Sequence, residues 1–262
     1  MAIPIKGKNV LLTGAAHGIG ASLATFLAKE GCNLFLIDVD KAKLAETAMS
    51  VRKEGIEPIL MDKDLSTFAN REALFSLLED KCFSPDILIN NIGIGYWRYF
   101  KDTPWDKLEQ IIDTNVKCMT HMTRRILPDM VERNSGHIVN LSSTAAFIGS
   151  PNSVCYSATK AYIRIFSETL GMELKCTGVK VLCVFPGATN THFWQYAMMR
   201  SSKYDNKVSK MDARDVAEEI ILAIKSGKSS MITGNKNKFN MFVAKFIPRQ
   251  ILIKIALKRF EN

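Results

Sequence analysis

The sequence predicts an α/β fold, a doubly wound parallel sheet of seven strands with helices on both faces. Three observations predict it. Short β-branched or Leu-rich runs alternate with longer stretches of helical period. A glycine-rich loop joins the first such run to the first helical stretch. No Pro/Ser/Gly-rich linker or internal repeat divides the 262 residues, and the 47% hydrophobic content is ample for one sheet covered on two sides.

Taken in order, the strands are expected at residues 9–13, 33–38, 56–61, 87–90, 137–142, 179–185 and 229–233. Between them, apolar residues recur near a period of 3.6 over residues 18–30, 42–53, 70–81, 105–132, 153–175 and 213–225, which marks amphipathic helices. Strand and helix alternating in this way build right-handed βαβ units. Residues 189–210 show no clear period and are expected as a loop over a site. Residues 1–238 are read as one dinucleotide-binding and catalytic domain, and residues 239–262 as a basic, apolar C-terminal extension of it.

Directly after the first strand stands Thr13-Gly14-Ala15-Ala16-His17-Gly18-Ile19-Gly20. Glycines there let the backbone approach a pyrophosphate, while the helix N-terminus offers free N–H groups and partial positive charge. Gly14, His17, Gly18, Ile19 and Gly20 are therefore candidate nucleotide contacts on a Rossmann-like sheet. Asp38 ends the second strand, where a carboxylate can accept both adenosine ribose hydroxyls and repel a 2′-phosphate, favouring NAD over NADP. His17 and Lys41, both nearby, keep the 2′-phosphate reading open. Asp64 and Leu65 follow the third strand as candidates for adenine, and Asn91 and Gly93 follow the fourth; both places are strand C-termini, where open α/β sheets bind ligands.

Tyr156 and Lys160 lie four apart and share a helix face. An ammonium close to the phenol is expected to lower its pKa toward neutrality, as a proton donor and acceptor for an alcohol requires. Ser143, thirteen residues earlier and just past a strand, is placed to donate a hydrogen bond to a substrate oxygen. Asn115 falls inside a long helical stretch, where it reads either as a packing amide or as the holder of a water joining Lys160 to solvent.

With these residues the chain resembles the short-chain dehydrogenase/reductase family, single-domain subtype. The resemblance rests on Thr13-Gly14-x-x-x-Gly18-x-Gly20, Asn90-Asn91-x-Gly93, Asn115, Ser143, Tyr156-x-x-x-Lys160 and Pro186-Gly187, over roughly the first three-quarters of the chain. It implies that Ser143 and Tyr156 bind the reacting oxygen, that Tyr156 is the acid/base and that Lys160 also holds the nicotinamide ribose. It further implies a proton relay at Asn115 and a nicotinamide bordered by Pro186, Gly187 and Thr191. Ile92 departs from the family's usual alanine and is expected to press on the nucleotide pocket. Val39 stands where relatives that use NADP carry arginine, so their preference is not carried over.

Tyr96, Trp97, Phe100, Phe147, Phe193, Trp194, Tyr196, Met198 and Met199 offer apolar surface around this site. A lipophilic alcohol or ketone follows as substrate, fatty acyl, steroid-like or another extended apolar compound, which places the chain in lipid metabolism. The alternative is a nucleotide-sensing binding protein without turnover; its usual signature, loss of the tyrosine or lysine, is not present.

The net charge of +9 is concentrated at the end of the chain: from Lys236 onward there are seven basic residues and one acid. No nucleic-acid-binding motif accompanies them, and nucleic acid is excluded as a partner. After Pro248 a helix would set Lys254 and Lys258 on one side of a broad apolar arc. Such a helix can lie on an anionic membrane, or it can dock on the body, cover the cleft or fill an interface. Residues 1–9 hold no run of signal-peptide length and no ~18-residue apolar span occurs, so a cytoplasmic protein is expected, with peripheral membrane contact as the open alternative. The six scattered cysteines show no metal-binding spacing and read as reduced packing residues, and no metal is expected. A homo-oligomer, dimer or tetramer, completes the reading.

Overall fold

The structure, a computed structural model, describes residues 3–149, 151–191, 193, 210–248 and 250–254. Seven strands form one sheet: β1 Asn9–Thr13, β2 Asn33–Asp38, β3 Ile59–Asp62, β4 Ile87–Asn90, β5 Gly136–Leu141, β6 Val179–Phe185 and β9 Ser230–Ile232. Their order is β3-β2-β1-β4-β5-β6-β9 and every pairing is parallel. Two further short strands, β7 Thr189–Asn190 and β8 Met211–Asp212, pair with each other and close the base of the loop expected over residues 189–210.

Alternation along each strand divides the core in two. On one face Val10, Leu12, Leu34, Leu36, Ile89 and Val184 meet helices α1 (Gly18–Lys29), α2 (Lys41–Arg52) and α7 (Ala213–Lys225). On the other, Leu11, Phe35, Ile37, Leu88 and Ile138 meet α3 (Phe68–Asp80) and α5 (Met119–Glu132). Strands buried on both faces read as continuous apolar runs, and each fully buried Leu or Ile adds about 2 kcal/mol. Helix α6 (Val154–Glu173) lies along β6, and α8 (Asn235–Ala244) follows β9.

The boundaries differ from expectation where local chemistry intervenes. Strand β3 begins after Pro58, not at Ile56, because proline supplies no N–H to a ladder. Helix α3 begins at Phe68, since the Thr67 side chain caps it by accepting from Asn70 N. The helix expected over residues 105–132 is three pieces, α4 (Trp105–Ile112), a π-helical segment Asp113–Cys118 and α5. Helix α8 was not expected, while a helical stretch over 250–254 agrees with the start expected after Pro248.

The strand order reverses between β1 and β4, the switch point at whose strand C-termini open α/β sheets form a ligand crevice. The residues that follow β1, β4 and β5 all reach this end of the sheet.

Candidate active site

The glycine loop is fixed from beneath by two side chains. Thr13 Oγ1 donates to the Ile89 carbonyl and accepts from the Asn91 and Ile92 N–H groups, at 3.2, 3.1 and 3.2 Å. Asn91 Nδ2 donates to the Thr13 and Gly14 carbonyls at 3.0 and 2.8 Å. Gly14 takes φ +68°, a region open to glycine, and a Cβ at Gly20 would run into the Gly14 carbonyl oxygen. A Cβ at Gly18 would strike the Thr191 side chain, so Thr191 borders the glycine loop. Helix α1 starts on His17, which makes no side-chain cap hydrogen bond to it, and its first-turn N–H groups face the crevice end. A cradle that admits no side chain and ends on a helix N-terminus fits a diphosphate.

Asp38 is buried, one carboxylate oxygen accepting from Ala16 N at 2.9 Å and the other from Asp40 N at 3.0 Å. It thus ties strand β2 to the glycine loop. The two bases that kept a 2′-phosphate in play are both partnered by acids: His17 Nε2 meets Asp40 at 2.8 Å and Lys41 meets Asp62 at 3.3 Å. Asp40 is held below the usual carboxylate range by the Lys43 N–H and then by His17, and Asp62 by Lys41. Beyond β3, Asp64 accepts from Ser66 N at 2.8 Å. Next to it, Leu65 packs its side chain into the second core. Arg71, a buried residue that carried no motif, donates to the Leu65 and Ser66 carbonyls at 2.6 and 2.7 Å and shapes this edge. Ile92 packs in part on the second core, and its backbone would stand 3.1–3.2 Å from a Cβ at Gly14 of the glycine loop.

Tyr156, Lys160 and Asn115 are all buried; Lys160 and Asn115 meet at Gly93, and the Tyr156 ring lies against Gly95. A Cβ at Gly93 would stand 3.0 Å from Lys160 Nζ and 3.4 Å from Asn115 Oδ1. Asn115 sits in the π-helical segment, and its amide brackets Ile94, accepting from Ile94 N and donating to Ile94 O at 2.9 Å each. It also donates to Thr159 Oγ1 at 3.0 Å, so it joins the loop after β4 to α6. Ser142 Oγ donates to the Lys160 carbonyl at 2.7 Å and clamps the same turn of α6 from β5. Neither Thr159 nor Ser142 carried a signal in the sequence, since each acts through tertiary contacts.

Ser143 opens a short 3₁₀ turn; its Oγ accepts from Ala145 N at 3.1 Å, donates to the Pro186 carbonyl at 3.4 Å and hydrogen-bonds with Tyr156. Gly187 is packed under Asn237 of α8, whose side chain leaves no room for a Cβ there.

The electrostatics correct one expectation. Burial pushes the Tyr156 phenol up to about 12, against the opposing effect of the Ser143 hydrogen bond. Lys160 does not bring it toward neutrality: its ammonium is 5.6 Å from the phenol ring centroid and donates to the Leu141 carbonyl at 2.8 Å. Burial pushes Lys160 itself down to about 8. Removing both groups from water outweighs the attraction that their helical spacing suggested.

Two aromatic rings meet over the phenol. Trp97 lies 5.1 Å from Tyr156 and 5.7 Å from Phe193, and Phe193 lies 5.6 Å from Tyr156, centroid to centroid. Tyr96, beside them, is half-buried. Phe147 turns to the body instead, its ring tilted 60° against Phe185 at 4.7 Å beneath the Arg164 guanidinium, and Phe100 is exposed. Trp194, Tyr196, Met198 and Met199 lie outside the described residues.

Known proteins resemble this chain in sequence and in fold. The family model described as short chain dehydrogenase matches residues 8–200. A relative named ketoacyl reductase HetN, from Nostoc sp., is 31% identical over 249 residues, covering 93% of this chain and 84% of its own. Among solved structures, a short-chain dehydrogenase from Sphingobium yanoikuyae in complex with NADPH is 27% identical with a TM-score of 0.80, covering 90% of this chain and 92% of that one. A short-chain dehydrogenase/reductase from Burkholderia phymatum in complex with NAD is 27% identical with a TM-score of 0.79, covering 88% and 90%. With a family model matched over most of its length and a Rossmann-like sheet of seven parallel strands, this chain belongs to the short-chain dehydrogenase/reductase family of oxidoreductases.

Proposed function

We propose that the protein interconverts a lipophilic alcohol and its ketone with a nicotinamide cofactor, NAD favoured, and that Tyr156 is the acid/base. The observation that carries this reading is the Tyr156 hydroxyl, bonded to Ser143, roofed by Trp97 and Phe193 and set at the crevice lined by the glycine loop. The bound cofactor supplies or accepts hydride at nicotinamide C4. Ser143 donates a hydrogen bond to the reacting oxygen and holds it against the phenol. A phenol raised to about 12 is protonated at neutral pH, so Tyr156 is poised to give its proton to a carbonyl oxygen. Lys160, buried beside Gly93, holds the nicotinamide ribose, and Asn115 sustains the path by which the phenol regains its proton. Pro186, Gly187 and Thr191 border the nicotinamide, and the rings of Tyr96, Trp97 and Phe193 favour a fatty acyl or steroid-like substrate over a polar one.

The NAD preference follows from charge. Asp38, Asp40 and Asp62 cluster where the adenosine ribose would lie, and the two bases nearby are already paired. A 2′-phosphate would meet a net acidic surface. NADH is expected to bind about tenfold or more tightly than NADPH, with Asp38→Asn narrowing the gap, as measured by fluorescence titration. Tighter binding of NADPH would show that His17 and Lys41 outweigh Asp38.

A homo-oligomer belongs to the same proposal. Val154, Ile165 and Met172 form an exposed apolar stripe along α6, with residue exposures of 53%, 59% and 76%. Light scattering is expected to give a multiple of the 29.3 kDa chain mass, reduced by Ile165→Asp. A monomer at micromolar concentration would refute it.

A further inference from the structure

Helix α8 leaves its large apolar side chains outside. The residues it turns toward the body are Asn237, Met241 and Ala244: Asn237 packs on Gly187 and donates to the Thr233 carbonyl at 2.9 Å, while exposed Lys238 pairs with Glu219 at 3.1 Å. Phe239, Phe242 and Val243, spaced i, i+3 and i+4, share one face, and that face and Phe246 just past the helix end are exposed. The three phenylalanines are 66%, 58% and 74% exposed. The Phe242 and Phe246 rings pack edge to face at 5.3 Å, which holds the stripe together without burying it. Further on, Ile251 and Ile253 are also exposed. Exposed Lys236, Lys245 and Lys254 flank these apolar residues.

We infer that this face seats the protein on an anionic lipid bilayer surface, aromatic rings entering the interface and lysines meeting the headgroups. Charge decides between this partner and a second copy. A two-fold interface would bring Lys236, Lys245 and Lys254 against their own images. Like charges would then face each other around an apolar centre, whereas an anionic membrane complements both the rings and the lysines. No helix among the described residues is long and apolar enough to cross a membrane, so the contact is peripheral. The anchoring of α8 on Gly187 sets the seated face beside the wall of the crevice at Pro186 and Gly187. The inference stands independently of the catalytic reading.

The test is sedimentation of the full-length protein with vesicles of phosphatidylcholine alone and of an equimolar mixture of phosphatidylcholine and phosphatidylglycerol. Wild type is expected to pellet with the anionic vesicles and stay in the supernatant with the neutral ones. The triple variant Phe239→Ser/Phe242→Ser/Phe246→Ser is expected to lose about tenfold or more of that partition, and Lys236→Glu/Lys245→Glu/Lys254→Glu to lose it as salt does. Unchanged thermal melting of both variants confirms their folds, as these side chains lie at the surface. Wild type left in the supernatant, or equal pelleting of wild type and the aromatic variant, would overturn the inference. So would a mass above one chain that the aromatic variant alone abolishes without vesicle binding by wild type, which would make the face a contact between copies.

Discussion

Tyr156→Phe is expected to lower kcat by about a thousandfold or more while changing cofactor affinity little. The phenylalanine ring keeps the packing against Trp97 and Phe193, at centroid distances of 5.1 and 5.6 Å, and removes only the hydroxyl bonded to Ser143. Loss of that one O–H deletes the proton donor, so the deficit belongs in kcat as well as in kcat/KM. Turnover with apolar ketones such as cyclic and long-chain carbonyls measures it, and cofactor binding to the variant serves as the control. A variant that binds cofactor and retains wild-type turnover would remove Tyr156 from the chemistry. A wild type that binds cofactor and turns over none of the panel would favour the sensing alternative.

Lys160→Met is expected to abolish turnover and yet stabilise the fold. Burial has moved the lysine from 10.5 down to about 8, and at ~1.4 kcal/mol per pKa unit the folded state carries a penalty of about 3 kcal/mol. Removing the ammonium relieves that penalty and sacrifices the 2.8 Å hydrogen bond to Leu141, which offsets about 1 kcal/mol. The net gain is about 2 kcal/mol, or roughly 4–8 °C in Tm. Its sign against pH follows from the depressed pKa of a base. The penalty is complete below about pH 8, where folded and unfolded chains are both protonated, and fades as pH rises toward the unfolded value of 10.5. The variant should therefore exceed wild type most at neutral pH and converge with it in alkali, as followed by thermal melting. A variant destabilised at pH 7 would mean that the lysine holds the fold rather than a ligand.

Much of this site was legible in the sequence because its chemistry is local. Glycines 14, 18 and 20 and the Tyr156-to-Lys160 spacing need only one loop and one helix, and both elements form as expected, the glycine loop leading into α1 and the pair lying on α6. The sheet was legible for the same reason, each strand being one apolar run bounded by polar residues. What was not legible depends on neighbours far along the chain. The π-helical segment at Asn115 leaves the apolar period almost intact, and its purpose, bracketing Ile94, lies 21 residues away. The pKa values of Tyr156 and Lys160 invert the expectation from spacing because burial is set by Gly93, Leu141 and the rings above. The direction that α8 faces could not be read from its amphipathic pattern, which is the same whether the stripe points in or out.

The central claim, that Tyr156 moves the proton, is tested most directly by kcat/KM profiles against pH in both directions, for wild type and Tyr156→Phe. With the phenol raised to about 12, wild-type carbonyl reduction is expected to stay level across neutral pH. Alcohol oxidation, which needs the phenolate, is expected to climb between about pH 7 and 9, by up to about tenfold per unit. In Tyr156→Phe the residual oxidation should lose that climb. An oxidation profile that climbs equally in the variant would contradict the account.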